Sequence, residues 1–137
     1  MLDACDGKRT IARVELPLYY IDPSFKDWGT DVAGEARPAT PVAVYEMAEN
    51  ANFAKIFGSL ADDPSKLILT QDQIIQFMEK HRNWLHQDCW ATFFLFRSSY
   101  EFFVAYVFRH SGGYLLVDVD RFDYAFAWDA GDRCRLV

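Results

Sequence analysis

The chain has few cysteines, and their spacing matches neither a disulfide pattern nor a metal-binding motif. Cys5, Cys89 and Cys134 are the three cysteines, and no Cys-x-x-Cys pair occurs. An odd number of widely spaced cysteines argues against both a disulfide framework and a zinc knuckle. We therefore expect a reduced protein with a cytoplasmic location.

Long apolar runs and an excess of basic residues are missing as well. No run approaches the roughly 18 apolar residues of a membrane span, and residues 1–10 lack the apolar core of a secretory signal. Lys and Arg number 14 against 20 Asp and Glu, which gives a formal net charge of −6. Because nucleic acids and anionic membranes select basic surfaces, we expect the chain to bind neither.

No catalytic signature is present. The chain contains no Gly-x-Ser-x-Gly, no Gly-x-Gly-x-x-Gly and no phosphate-binding loop. Ser111 follows His110, but the pair sits in a Gly-rich break where Ser is an ordinary turn residue. The sequence thus supplies no acid, base, nucleophile or cofactor motif, and an enzyme of unknown class ranks third among the candidate functions.

Two groups of potential metal ligands are incomplete. His81, His86 and Cys89 form a His-x4-His-x2-Cys group, but structural zinc needs four ligands and catalytic zinc needs three with water. A histidine in a last helical turn is explained by the helix dipole alone. Asp118, Asp120 and Asp123 lack the spacing of a calcium loop. We expect no bound metal, with the group at His81 as the alternative.

Aromatic residues are abundant and concentrated in one stretch. They make up 17% of the chain, and nine of the nineteen residues from Trp90 to Phe108 are aromatic. The breaks at 97–99 and 110–113 divide this stretch into the apolar runs 90–96, 102–108 and 114–119. Aromatic runs separated by Ser and Gly predict an antiparallel three-stranded meander.

The remaining segments predict a single α+β domain over residues 1–137, in which a mainly antiparallel sheet packs on two helices. Alternating apolar residues predict a strand over 10–21, which Pro17 places at a sheet edge. A long loop follows over 22–39. Helices are expected over 40–58, with Thr40 as N-cap, and over 70–86, where Thr70 and Gln73 form a capping box. Residues 89–137 supply the antiparallel strands, including a short run at 125–128.

Pairing the meander strands across their turns sorts the side chains into two faces. The first face is apolar throughout, and we expect the two helices to cover it: Ala91, Phe93, Leu95, Phe102, Val104, Tyr106, Phe108, Leu115, Val117 and Val119. The second face has an apolar centre with a charged border: Trp90, Thr92, Phe94, Phe96, Phe103, Ala105, Val107, Arg109, Tyr114, Leu116, Asp118 and Asp120. A slip of one residue in either turn would exchange residues between the faces. The cover of the second face is the N-terminal strand with the long loop, a second copy of the chain, or a ligand.

Several segments resemble a group of small bacterial proteins. They are TQDQIIQFMEKHRNWL, ATFFLF, EFFVAYVFRHSGG and DRFDYAFAW. The resemblance is to uncharacterised proteins carried on mobile genetic elements such as gene cassettes, and it covers residues 69–137. It implies a small, free-standing bacterial protein. Its motifs are a capped helix, aromatic strands and a turn, so it carries over no functional residues.

The leading functional prediction is a non-enzymatic binding or regulatory protein that acts by contact through the second face. An apolar centre with a charged border is typical of interfaces, and a self-complementary face favours a homodimer. The candidate binding residues are Trp90, Phe94, Phe96, Phe103, Arg109, Tyr114, Asp118 and Asp120. The alternative is a small-molecule-binding domain with its pocket between the second face and the 22–39 loop.

Overall fold

The computed structural model describes residues 2–13, 19–46, 51–58, 60, 63–81, 84–85, 91–98, 101–109, 115–122 and 135–136. Its helices are α1 (Ser24–Asp27), α2 (Phe53–Gly58) and α3 (Gln71–Lys80). Its strands are β1 (Tyr19–Ile21), β2 (Tyr45–Glu46), β3 (Ala91–Ser98), β4 (Glu101–Arg109), β5 (Leu115–Arg121) and β6 (Arg135–Leu136). The predicted α+β class is confirmed.

The six strands found in the described residues form one sheet in the order β1-β5-β4-β3-β6-β2. Strands β3, β4 and β5 pair antiparallel, which confirms the predicted meander. Strand β1 runs parallel to β5 at one edge, so the end of the predicted N-terminal strand does lie at an edge. Residues Ile11–Arg13, predicted as part of the same strand, form a 3-10 turn instead. The runs at 14–18 and 125–128 lie outside the described residues.

Helix α3 begins at its predicted capping box. The Thr70 hydroxyl accepts the Gln73 backbone N–H at 3.1 Å, and the Gln73 side-chain oxygen accepts the Thr70 N–H at 3.0 Å. The helix ends at Lys80, short of the predicted end at residue 86. His81 leaves the helical region, with φ −123° and ψ 37°, while its N–H still bonds the Phe77 carbonyl. This hydrogen bond satisfies a backbone carbonyl of the last turn, and the helix ends there.

The predicted helix over 40–58 is wrong for its first residues. Thr40 is not a helix N-cap, because its N–H and C=O both bond the Leu2 backbone at 2.8 Å. Tyr45–Glu46 form β2, which pairs with β6 at the sheet edge, and α2 contains only Phe53–Gly58. Valine and tyrosine suit an extended backbone, and the strand partners satisfy polar groups that a helix would have satisfied internally. Residues 47–50 lie outside the described part of the chain.

The register between β3 and β4 is the predicted one, but that between β4 and β5 is shifted by one residue. Phe94 lies opposite Ala105 and Phe96 opposite Phe103, as expected. Tyr106 lies opposite Asp118 and Val107 opposite Val117. Val117, with Leu115 and Val119, therefore joins the second face, and Asp118, with Leu116 and Asp120, joins the first. The observed register buries the three aliphatic side chains and leaves both aspartates partly exposed. Burial of apolar side chains therefore favours this register over the predicted one.

Helices α2 and α3 lie on opposite faces of the sheet. Helix α3 packs on the second face together with Leu2, Ile11 and Phe25. Helix α2 packs on the first face, against Phe93, Leu95 and Val104. The prediction that both helices cover the first face is therefore wrong. Both faces are apolar at their centres, so each needs a cover of its own.

Candidate functional site

The aromatic residues predicted to form a binding face are part of the core. Phe94, Phe96 and Phe103 are 0%, 1% and 3% exposed. Phe96 stacks between Phe25 and Phe103, with ring centroids 6.3 and 5.6 Å apart. The cover consists of α3, the N-terminal residues and α1, so the chain itself closes the second face. Of the three covers that the sequence left open, the chain's own segments are the one observed, and the buried rings of Phe94, Phe96 and Phe103 offer no surface to a partner.

The charged candidates are not assembled around that face either. Arg109 belongs to the second face, whereas Asp118 and Asp120 lie on the first because of the β4–β5 register. All three are partly buried. Trp90 and Tyr114 lie outside the described residues. The predicted arrangement of an aromatic centre with one charged border is therefore not formed by the described members of the set.

His81, the described member of the alternative metal group, is the C-cap residue of α3. His86 and Cys89 lie outside the described part of the chain. Among the described residues, no three His, Cys, Asp or Glu side chains lie close enough to hold a metal ion. The position of His81 at the helix end agrees with a structural role in the last turn.

Tyr106 and a group of carboxylates form a polar cluster on the first face. The Tyr106 hydroxyl donates to Asp120, and burial together with the charges of Asp120 and Asp118 raises the pKa of Tyr106. Burial raises the pKa of Asp118, and the negative charges of Asp22 and Asp120 raise it further. Burial likewise raises the pKa of Asp120, against the opposing hydrogen bond from Tyr106. The cluster therefore holds protons more tightly than isolated aspartates do.

A groove of ligand size lies at the C-terminal end of α3. We call it the α3 groove; its volume is about 320 Å³, and it is lined by Val42, Ala43, Val44, Phe77, His81 and Trp84. Phe77 is 1% exposed and forms the floor, and its ring lies 5.5 Å from that of His81. Trp84 is 54% exposed. The groove thus combines aliphatic and aromatic walls with one imidazole that can both donate and accept a hydrogen bond.

Two backbone hydrogen bonds set the helix side of the groove. The His81 N–H donates to the Phe77 carbonyl at 2.8 Å, and the Trp84 N–H donates to the His81 carbonyl at 2.9 Å. These turns hold His81 and Trp84 over the end of α3. The opposite wall, residues 42–44, is the non-helical segment that leads into β2. Because a capped helix and the start of a strand carry the walls, the groove is formed without a ligand.

Sequence reasoning missed this groove because it assigned both walls to helices. Val42 and Val44 lie in the predicted 40–58 helix, and Trp84 lies in the predicted 70–86 helix. The run Val42, Ala43, Val44 and Tyr45 is rich in β-branched and aromatic residues, a strand-like signal that points to the non-helical wall. No comparable local signal places that segment beside the end of α3, because the contact joins residues far apart in sequence.

Comparison of the chain with protein-family models, curated proteins and solved structures finds no match. None of the helices in the described segments has the length and hydropathy that a membrane crossing requires. Functional inference for this chain therefore depends on the geometry and chemistry of its own surface.

Proposed function

We propose that the protein is a non-enzymatic binding protein that takes a small, planar molecule with both apolar and polar groups in the α3 groove. The observation that carries this proposal is a half-exposed Trp84 beside buried Phe77 and His81 in a groove of about 320 Å³. A preformed pocket that combines aromatic and aliphatic side chains with polar groups is the usual form of a small-molecule site. The pocket lies at the end of α3 and not, as predicted for the small-molecule alternative, between the second face and the 22–39 loop.

The groove suits a compact ligand. Its volume of about 320 Å³ lies at the lower end of the roughly 300–1,000 Å³ of ligand pockets, which leaves room for a planar molecule of up to three fused rings. The Trp84 indole offers a stacking surface, and Val42 and Val44 offer an aliphatic wall. His81 supplies one hydrogen bond, which would fix the ligand's orientation.

The lining favours binding over catalysis. Of the described residues that line the groove, His81 alone carries a side chain of the kind that acts as a general acid or base. General acid–base or nucleophilic chemistry would need a second group, placed within hydrogen-bond reach of the first. The remaining lining side chains are aliphatic or aromatic.

A fluorescence titration with 1-aminoanthracene, a neutral planar probe that brightens in apolar surroundings, tests the proposal. We expect saturable binding that Trp84→Ala weakens at least about tenfold, or 1.4 kcal/mol. Trp28→Ala is the matched control, because Trp28 is also exposed, at 36%, and lies beside Arg121 away from the groove lining. Equal weakening in both variants, or no saturable binding, would contradict the proposal.

Contact with a protein partner, including a second copy of the chain, is the second candidate function. Tyr20 is 55% exposed and lies beside Leu116, which lies beside Phe108 on the first face. Leu116 and Phe108 are partly exposed. Because the chain itself covers the second face, we propose that the protein self-associates through this apolar strip of the first face. Exposed aromatic strips of this kind are typical of interfaces.

A further inference from the structure

A second, smaller cleft lies near the first turn of α3. It is bordered by the loop residues 32–37, by residues 68–71 and by Arg97 from β3. We call it the arginine cleft, because Arg37 and Arg97 both line it; its volume is about 150 Å³. None of the groove-lining residues takes part in it, so it is a separate site.

The loop side of the cleft is held in place by backbone contacts. Arg37 exchanges two hydrogen bonds with the Cys5 backbone, both of 2.9 Å, and the Gly34 N–H donates to the Gly7 carbonyl at 2.8 Å. Gly34 lies so close to Thr70 that a Cβ there would come within 3.2 Å of the Thr70 side chain. The loop is therefore fixed against the N-cap of α3, and the cleft needs no rearrangement to form.

The helix side of the cleft is fixed by Gln71. Its side-chain nitrogen donates to the Thr30 carbonyl at 2.6 Å, and its side-chain oxygen accepts the Ile11 N–H at 3.0 Å. The first turn of α3 thus faces the cleft at a defined position. The start of a helix carries partial positive charge, which favours an anion.

The two arginines add full positive charge, and Glu35 is the one acidic residue among the described residues that line the cleft. The Arg37 Nε is buried without a hydrogen-bond partner. Among the ion pairs of the described residues, none includes Arg37 or Arg97. A buried donor without a partner is costly, and an oxyanion would supply the missing acceptor. An arginine pair of this kind stands out in a chain whose net charge is −6.

We propose that the arginine cleft binds the oxyanion group of a small molecule, either a phosphate or a carboxylate. Arg37 and Arg97 would bind the oxygens, and the Thr70 hydroxyl and the start of α3 would complete the site. Glu35 also lines the cleft and opposes an anion. Asp72 opposes it less, since Arg9 pairs with that carboxylate at 2.7 Å. A volume of about 150 Å³ restricts the bound group to a small one.

Thermal unfolding of the full chain with inorganic phosphate or acetate, each against sodium chloride at equal ionic strength, tests the proposal. We expect at least one of the two oxyanions to raise Tm in a concentration-dependent way beyond chloride. R37Q and R97Q should each reduce that increase by at least about half. Since phosphate also stabilises folded proteins non-specifically, a response to phosphate alone identifies a phosphate site when R37Q and R97Q reduce it. By the same criterion, a response to acetate alone identifies a carboxylate site. A response to both supports a general oxyanion site.

Two further variants separate binding from stability. R121Q is the control, because Arg121 lies near Glu101 and Trp28 and not in the cleft, and it should leave the increase unchanged. E35Q should enlarge the increase, since it removes a negative charge from the lining, whereas a purely structural role of the cleft predicts no gain. The proposal is overturned if neither oxyanion exceeds chloride, or if R37Q and R97Q keep the full increase.

Discussion

The ring of Phe77 stands edge-on to that of Phe94, with centroids 5.2 Å apart and planes at 68°. Phe77 belongs to α3 and Phe94 to the second face, so this contact shows how the helix closes the aromatic sheet. The same Phe77 ring forms the floor of the α3 groove beside His81. One side chain thus links the packed core to the proposed binding site.

Truncating Phe94 should cost the stability of a true core residue. Phe94→Ala should lower the free energy of unfolding by about 3–5 kcal/mol, because the ring is fully buried and its loss leaves a cavity. Urea unfolding measures the change. Phe108→Ala, at a partly exposed position on the first face, is the control and should cost less. A loss below about 1 kcal/mol for Phe94→Ala would mean that the second face is not core.

Removing one charge from the Tyr106 cluster should stabilise the protein at neutral pH. The pKa of Asp118 is raised above its ordinary value of 3.8 by burial and by the charges of Asp22 and Asp120. The folded state thus holds this proton more tightly than the unfolded chain does, and stability falls as the pH rises from 3.8 through the raised pKa. Asp118→Asn should therefore gain about 0.2–1 kcal/mol at pH 7, a range typical of charge contacts near the surface.

The pH dependence of the stability gain from Asp118→Asn distinguishes an electrostatic cause from a change in packing. The gain from Asp118→Asn should shrink as the pH falls towards 4, because the wild-type carboxyl then becomes protonated in the folded state. Asp63→Asn should act with the opposite sign at neutral pH, since hydrogen bonds from Ser65 lower the pKa of Asp63. Urea unfolding at several pH values measures both variants. A gain from Asp118→Asn that is the same at all pH values would contradict an electrostatic origin.

Self-association through the first face should depend on Tyr20. We expect light scattering after size exclusion to detect a dimer at high micromolar concentration, and Tyr20→Glu to shift it to monomer, because the charge would lie in the apolar strip beside Leu116. Tyr45→Glu is the control, since Tyr45 is also exposed but lies at the opposite edge of the sheet. A wild-type monomer at that concentration would contradict self-association.

The local features of the fold could be predicted from the sequence. The capping box at Thr70 and Gln73, the three aromatic strands and the register between Phe94 and Ala105 all follow from patterns within a few residues. Hydrogen bonds and alternation at this range depend little on the rest of the molecule.

The features set by distant contacts could not be predicted. Gln76 looks like a solvent-facing helix residue, yet it is buried, because it accepts the Asp3 N–H at 2.6 Å and donates to the Asp3 carbonyl at 3.1 Å. The N-terminal segment that covers α3 also takes Thr40 out of its expected role as an N-cap. Both walls of the α3 groove depend on such pairings, which leave no local pattern.

The most direct test of the small-molecule proposal is a heteronuclear NMR titration of the full chain with 1-aminoanthracene, which locates the bound probe. We expect the largest chemical-shift changes at the amides of Val42, Ala43 and Val44 and at the Trp84 indole N–H, and unchanged amides near Trp28. Changes centred on Tyr20 and Leu116, or no localised changes at saturating probe, would contradict the α3 groove as the binding site.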